Sequence, residues 1–153
     1  MYRPELEAAP PAVIASLQLA RLNALVAAIL PQNRFYAARF GALTLPISWD
    51  AFGRLPFTTK ADLVADQAAA LPHGTIATYP PERYTTYHQT SGTTGRPLAV
   101  LDTPESWAWW AECWQYVYAA AGVTARDRIC FAFSFGPFIG FWSAHEAARS
   151  RTR

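Results

Sequence analysis

Tyr84-Thr85-Thr86-Tyr87-His88-Gln89 runs into Thr90-Ser91-Gly92-Thr93-Thr94-Gly95-Arg96-Pro97 and then into Leu98-Ala99-Val100-Leu101. The outer segments are β-branched, aromatic or apolar and read as two strands. The eight residues between them hold four hydroxyls, two glycines and one cation. Glycine admits positive φ and close backbone approach, so successive amides can point into one concavity and bind an anion. Hydroxyl donors and Arg96 add to that field, and together they suit the phosphates of a nucleotide. The segment is not a Walker A loop, because only two residues separate Gly92 from Gly95, no Lys follows, and a strand rather than a helix comes next. A decorated hairpin loop without a ligand is the competing reading, and composition alone leaves both open.

Working downstream, Thr103-Pro104-Glu105 is a helix start with Pro at the first helical position, and the helix is expected to run to Gly122. Trp107, Trp110, Trp114, Val117, Tyr118 and Ala121 recur at helical spacing and read as the core-facing stripe. Ile129 to Ser134 reads as a buried strand, Phe135 to Gly140 as a turn, and Phe141 to about Arg149 as a further helix. Upstream, Ala12 to Leu30 is a helix stopped by Pro31, with Val13, Leu17, Ala20, Ala24 and Ala27 on its apolar face and Leu22, Leu25 and Ile29 broadening it. A second helix spans about Asn33 to Phe40 and ends at Gly41. Thr58 or Thr59 caps a third, which carries Asp62 in its first turn and runs to about Ala70. Strand, loop, strand, helix, strand, helix is the order of an α/β architecture.

The 153 residues carry 52% hydrophobic and 16% charged side chains, with 14% aromatic, which excludes disorder over most of the chain. Size alone allows one self-sufficient domain. Net charge is +2, from 12 Arg and the single Lys60 scattered among acidic residues, so no basic stripe argues for nucleic acid. Arg149, Arg151 and Arg153 read as a solvated tail. Ala12 to Leu30 is interrupted by Gln18, Arg21 and Asn23, and Ile129 to Ala144 by Gly136, Pro137 and Gly140, so neither is expected to span a membrane. Cys113 and Cys130 have no zinc-like spacing, so no metal ligand set is expected, and lone thiols fit a reducing cytoplasm. The N-terminus has no signal-peptide pattern.

Thr90 to Pro97 closely resembles the phosphate-binding signature of the adenylate-forming (AMP-forming) acyl-CoA synthetases, with Arg96 near the place where a Lys is usual. Two further segments resemble the phenylacetate-CoA ligase branch of that superfamily. One is Leu55-Pro56-Phe57-Thr58-Thr59-Lys60. The other is Asp127-Arg128-Ile129 with Phe133-Ser134-Phe135-Gly136-Pro137-Phe138 and Ala144-His145. All three lie in the family's order and spacing.

The resemblance implies ATP with Mg²⁺ as cofactor, coenzyme A as co-substrate, and a small carboxylic acid activated first to an acyl-adenylate and then passed to the CoA thiol. Ser91, Gly92, Thr93, Thr94 and Gly95 would cradle the β- and γ-phosphates, with Thr90 and Arg96 in support. Phe133, Phe135 and Phe138 would wall the acyl pocket, or else simply pack a strand and turn. Phe133 and Phe135 stand where phenylacetate ligases often carry Tyr, and Phe141-Trp142 where small residues are common, so an acid other than an aryl one fits as well. His145 matches a family position but equally reads as a packing or capping residue. His88 either touches a ligand or supports the end of its strand, and His73 is expected at the surface.

The resemblance divides the chain into a helical segment 1–54, a partial adenylate-forming domain 55–150 with an incomplete sheet, and an aberrant tail 151–153. The family's adenine-binding and ribose-binding segments and its catalytic Lys have no counterpart here, and Lys60 does not replace the latter. The expectation is a truncated or frameshifted ligase portion, inactive alone and needing its missing C-terminal portion or an oligomer. The alternative is a non-catalytic nucleotide-binding or partner-interaction module.

Overall fold

The computed structural model describes residues 1–92 and 95–151, the last without its side chain. They form two compact units, residues 9–80 and residues 1–8 with 81–153.

The first unit is helical. Helix α1 (Pro4–Glu7) belongs to the second unit, and α2 (Pro11–Ile29), α3 (Arg34–Phe40), α4 (Trp49–Phe52) and α5 (Lys60–Ala69) belong to this one. Asn33 caps α3 by accepting from the Tyr36 amide at 2.9 Å, and its amide group donates to the Ile76 carbonyl at 2.7 Å and to Thr78 Oγ1 at 2.9 Å. One side chain thus starts a helix and ties down the strap that follows α5. At Gly41, φ is +57°, the left-handed exit that a side chain resists. Thr59 and Asp62 make the expected capping box at the start of α5. Asp66, on the same helix, accepts from the Thr75 and Ile76 amides at 2.8 and 3.1 Å and from the Thr75 hydroxyl at 2.5 Å.

One expectation for α2 is corrected. Its inward line is Leu19, Leu22, Val26 and Ile29, whereas Val13, Ala20, Ala24 and Ala27 are exposed. Alanine methyls bury little area, so the branched side chains one step round the helix win the inner face. Leu22, Val26 and Ile29 line a cleft of about 390 Å³ with Tyr36, Phe40 and Leu55. The helix is also continuous over 19 residues at a mean hydropathy of 1.7, long and apolar enough by those criteria to cross a membrane. Polar Gln18 and Asn23 do not interrupt it, because Asn23 turns its amide onto the Leu19 and Ile47 carbonyls, both at 3.0 Å, and accepts from the Ile47 amide at 2.6 Å.

The second unit holds the sheet. A 3₁₀ turn (Pro81–Arg83) leads into β1 (Thr86–Gln89), which pairs antiparallel with β2 (Ala99–Asp102) in the register Thr86 to Asp102, Tyr87 to Leu101, His88 to Val100 and Gln89 to Ala99. Thr103 then caps α6 (Pro104–Ala120), accepting from the Ser106 amide at 3.2 Å, and α7 (Ile139–Arg151) packs against α6. The α6–α7 seam is polar at its centre. Tyr118 donates to the Ala144 carbonyl at 2.6 Å, Gln115 to the Ala147 carbonyl at 2.8 Å, and Trp114 Nε1 to Ser143 Oγ at 3.0 Å. Arg3, before α1, pairs with Glu112 at 3.0 Å.

Two further readings are corrected here. Of the proposed α6 stripe, Trp110, Val117 and Ala121 are exposed, and the buried positions are Gln115 and Tyr118. Aromatic side chains surround this helix, so spacing alone does not identify the face that meets α7. Residues 129–134 do not form a strand. Ile129 and Cys130 are exposed, and among the described residues no third strand pairs with the β1–β2 hairpin. An extended segment without a neighbour has no ladder to join.

Candidate phosphate-binding site

The hairpin determines where the Gly loop begins and ends. The Thr90 amide donates to the Leu98 carbonyl at 3.0 Å, and the Leu98 amide returns to Thr90 Oγ1 at 3.0 Å. Thr90 therefore closes the base of the loop with its backbone and its hydroxyl together, which leaves that hydroxyl engaged in structure. Above it, the Gly95 amide donates to the Gly92 carbonyl at 3.0 Å. Gly92 has φ +65°, and a Cβ there would stand 2.9 Å from both the Gly95 carbonyl oxygen and the Pro97 ring. A glycine is required at that point by conformation and by space. Gly95 has φ +144° with open space where a Cβ would project. Ser91, Gly95 and Arg96 are exposed and Gly92 is half-buried, while the Gly95 amide and the Gly92 carbonyl are engaged with each other in the turn. Thr93 and Thr94 lie outside the described residues.

Beneath the loop, His88 is only 3% exposed and stacks on Trp107 with ring centroids 5.0 Å apart. Burial pushes its pKa below the ordinary value, and the Asp102 charge partly offsets that shift. Asp102 is 6% exposed and accepts from the Ser106 hydroxyl at 2.9 Å. The sequence pointed to His88, and to Trp107 as a packing residue of its helix, but not to Asp102 or to the stacking of Trp107 on His88. The register was the available signal, since His88, Thr86 and Asp102 fall on one face of a two-residue repeat.

The aromatic segment forms a cluster around α7. Phe133 stacks on Phe141 at 4.3 Å and meets Phe135 at 5.2 Å; Phe135 meets Trp142 at 4.8 Å and His145 at 5.1 Å; Phe138 meets Phe141 edge-on at 6.0 Å. The Gln89 amide donates to the Pro137 carbonyl at 2.7 Å, which ties the end of β1 to this segment. The structure thus brings Phe133, Phe135 and Phe138 together. His145 packs among Phe131, Phe135 and Trp142. His73 is half-buried rather than at the surface. Lys60 is the first residue of α5, and Cys113 is half-buried while Cys130 is exposed.

No protein-family model matches the chain. A phenylacetate-coenzyme A ligase of Thermus thermophilus is 32% identical over 98% of this chain, and one of Escherichia coli is 36% identical over 62% of it. The fold agrees with 2-hydroxyisobutyryl-CoA ligase, solved with 2-HIB-AMP and CoA, at a TM-score of 0.89 and 28% identity over 97% of this chain. The chain spans 34% of the Thermus protein, 32% of the solved ligase and 21% of the Escherichia coli protein. Over nearly its whole length it is similar to CoA ligases, which supports a place in the adenylate-forming CoA ligase family. Within that family, its sequence relatives are phenylacetate-CoA ligases, and its fold is that of the N-terminal part of a CoA ligase with the sheet incomplete.

Proposed function

We propose that this chain supplies the phosphate-gripping part of an AMP-forming carboxylate-CoA ligase, in a partial catalytic domain over residues 55–150 that follows a helical segment 1–54. The observation that carries this reading is the Gly92–Gly95 turn, closed at its base by Thr90, in a chain related along its length to such ligases. In the reaction, a carboxylate oxygen attacks the α-phosphorus of ATP and pyrophosphate leaves. The CoA sulfur then attacks the acyl carbon and AMP leaves. Ser91, Gly92, Thr93, Thr94 and Gly95 hold the β- and γ-phosphates, with Thr90 and Arg96 in support. Donors preorganised around a leaving pyrophosphate stabilise charge as it develops. Mg²⁺ bound with ATP supplies further neutralisation, and no protein ligand for it is assigned.

Phe133, Phe135 and Phe138 wall the acyl pocket. The relatives' acids range from phenylacetate to 2-hydroxyisobutyrate, so an aryl acid and a small branched acid are the two classes to compare. ATP and CoA as substrates, together with two free thiols, favour a cytoplasmic site of action. A second reading keeps the same loop as a nucleotide-binding element that does not complete ligation. ATP–pyrophosphate exchange with a panel of aryl and alkyl acids separates the two. Exchange by the isolated chain establishes a self-sufficient catalyst, whereas ATP binding without exchange supports the binding module. Failure to bind ATP at all, with the fold intact, defeats both.

A further inference from the structure

His88 and Asp102 stand out as polar side chains, each more than nine-tenths buried, that the phosphate contacts do not use. His88 Nδ1 and Asp102 Oδ2 are both buried, and neither has a hydrogen-bond partner among the described residues. Their register places them on the same sheet face, one on each strand of the hairpin that carries the Gly loop. Trp107 of α6 covers His88, and Ser106 of α6 holds the other oxygen of Asp102. An apolar side chain would fill the space under Trp107 without burying an unsatisfied nitrogen, so packing alone does not explain a histidine there.

We propose that His88, seated between Asp102 and Trp107, is the positioning residue that holds β1 against β2 and thereby sets Thr90 and the Gly loop, and that adding a proton to its ring loosens that setting. This rests on the reading of the loop as a phosphate site. A single residue, Gln89, separates His88 from Thr90, whose paired bonds to Leu98 close the loop. A charged imidazolium under Trp107 has one adjacent countercharge, Asp102. From the other directions β1 presents Thr86 and α6 presents Ser106 and Trp107, and Glu112 and Glu146 line a cleft together with Trp107. Burial disfavours the charged ring, so the neutral form belongs to the folded hairpin. Its contribution is complete above the ordinary histidine pKa of about 6.5 and is lost as pH falls below it.

The test is a pH titration of the full chain from 8 to 5 by ¹H–¹⁵N NMR, reading the His88 ring and the amides of Thr90, Ser91, Gly92, Gly95 and Leu98. The expected result is one shared midpoint below about 6.5. Asp102→Asn removes the charge that raises the His88 pKa, so ring and loop midpoints move together to lower pH. His88→Gln keeps a neutral polar side chain and abolishes the loop titration. Loop amides that ignore the His88 midpoint, or that titrate unchanged in His88→Gln, overturn the proposal; if that variant does not fold, the wild-type and Asp102→Asn titrations decide. ATP affinity is read in parallel. One linked proton lowers it by up to about tenfold per pH unit below the midpoint, beyond any slope that His88→Gln retains. A chain whose loop follows His88 but binds no ATP at any pH overturns the phosphate reading and leaves the positioning role intact. Uncoupled amides overturn the positioning role whether or not ATP binds.

Discussion

Gly92 shows how a single missing methyl group shapes the loop. Its φ of +65° and the 2.9 Å approach of Gly95 and Pro97 to any Cβ leave an alanine strained and crowded at once. Gly92→Ala is expected to cost about 1–3 kcal/mol, the range for non-glycine residues held in sparsely populated backbone regions. It should also weaken ATP binding, because relief of the clash opens the Gly92–Gly95 turn and changes the shape of the loop. A melt read by circular dichroism beside an ATP titration checks both, and an alanine variant with unchanged affinity removes the loop from the site. Gly74 faces a harsher constraint at φ +82°, where a Cβ would lie 2.2 Å from Asp66 Oδ2. Gly74→Ala must displace a carboxylate that accepts three hydrogen bonds, so a loss of about 2–4 kcal/mol is expected, in the range of broken buried networks. Gly92 was legible in the sequence because its loop has a composition with a chemical meaning. Gly74 was not, since nothing in Pro72 to Pro81 announces that Asp66 reaches back from α5 to meet it.

At the scale of elements, starts and stops were more legible than faces. Thr59 with Asp62, Thr103 with Pro104, and Gly41 each place a particular donor, acceptor or backbone angle where an exposed helix end needs one, so local sequence suffices. Thr59→Ala is expected to lower stability by about 1 kcal/mol, the usual value of an N-cap, read from the shift in a urea midpoint at constant slope. The same box predicts a pH dependence. Hydrogen bonds from the Thr59 backbone and then its hydroxyl hold the Asp62 carboxyl below its ordinary pKa, with Arg39 adding to the effect. Asp62 therefore contributes stability above the ordinary aspartate pKa of about 3.9 and loses it as pH falls through the lower folded value. Asp62→Asn should flatten that acid limb, and an unchanged limb would assign it to other carboxylates. The inward faces of α2 and α6 were misread for a shared reason. Both helices are apolar on more than one side, so the neighbour decides which side is buried. Likewise, residues 129–134 have strand composition but no strand beside them, and pairing is a property of two segments.

For the whole molecule, surface area qualifies what length and composition promise. A compact monomer of this mass exposes about 7,700 Å², and two separate globules of half the mass about 9,300 Å² together. The chain exposes 10,186 Å², and among the described residues no large side chain is fully buried. The apolar fraction is therefore present without a matching core. Trp110 at 41% and Val117 at 51% exposure lie seven residues apart on one side of α6, while Tyr118 and Gln115 bury the other side against α7. Apolar surface of this kind binds hydrophobic dyes and associates in solution. The native chain is thus expected to enhance the fluorescence of anilinonaphthalene sulfonate and to show a concentration-dependent sedimentation coefficient. Trp110→Gln with Val117→Lys should diminish both. Neither residue takes part in the α6–α7 hydrogen bonds made by Trp114, Gln115 and Tyr118, so the double variant should keep its helical circular dichroism and lie within about 1 kcal/mol of wild-type stability, each surface change being worth at most about 0.5 kcal/mol. Dye binding that survives this change would place the open apolar surface elsewhere, with the α2 cleft around Leu22, Val26 and Phe40 as the next site to alter.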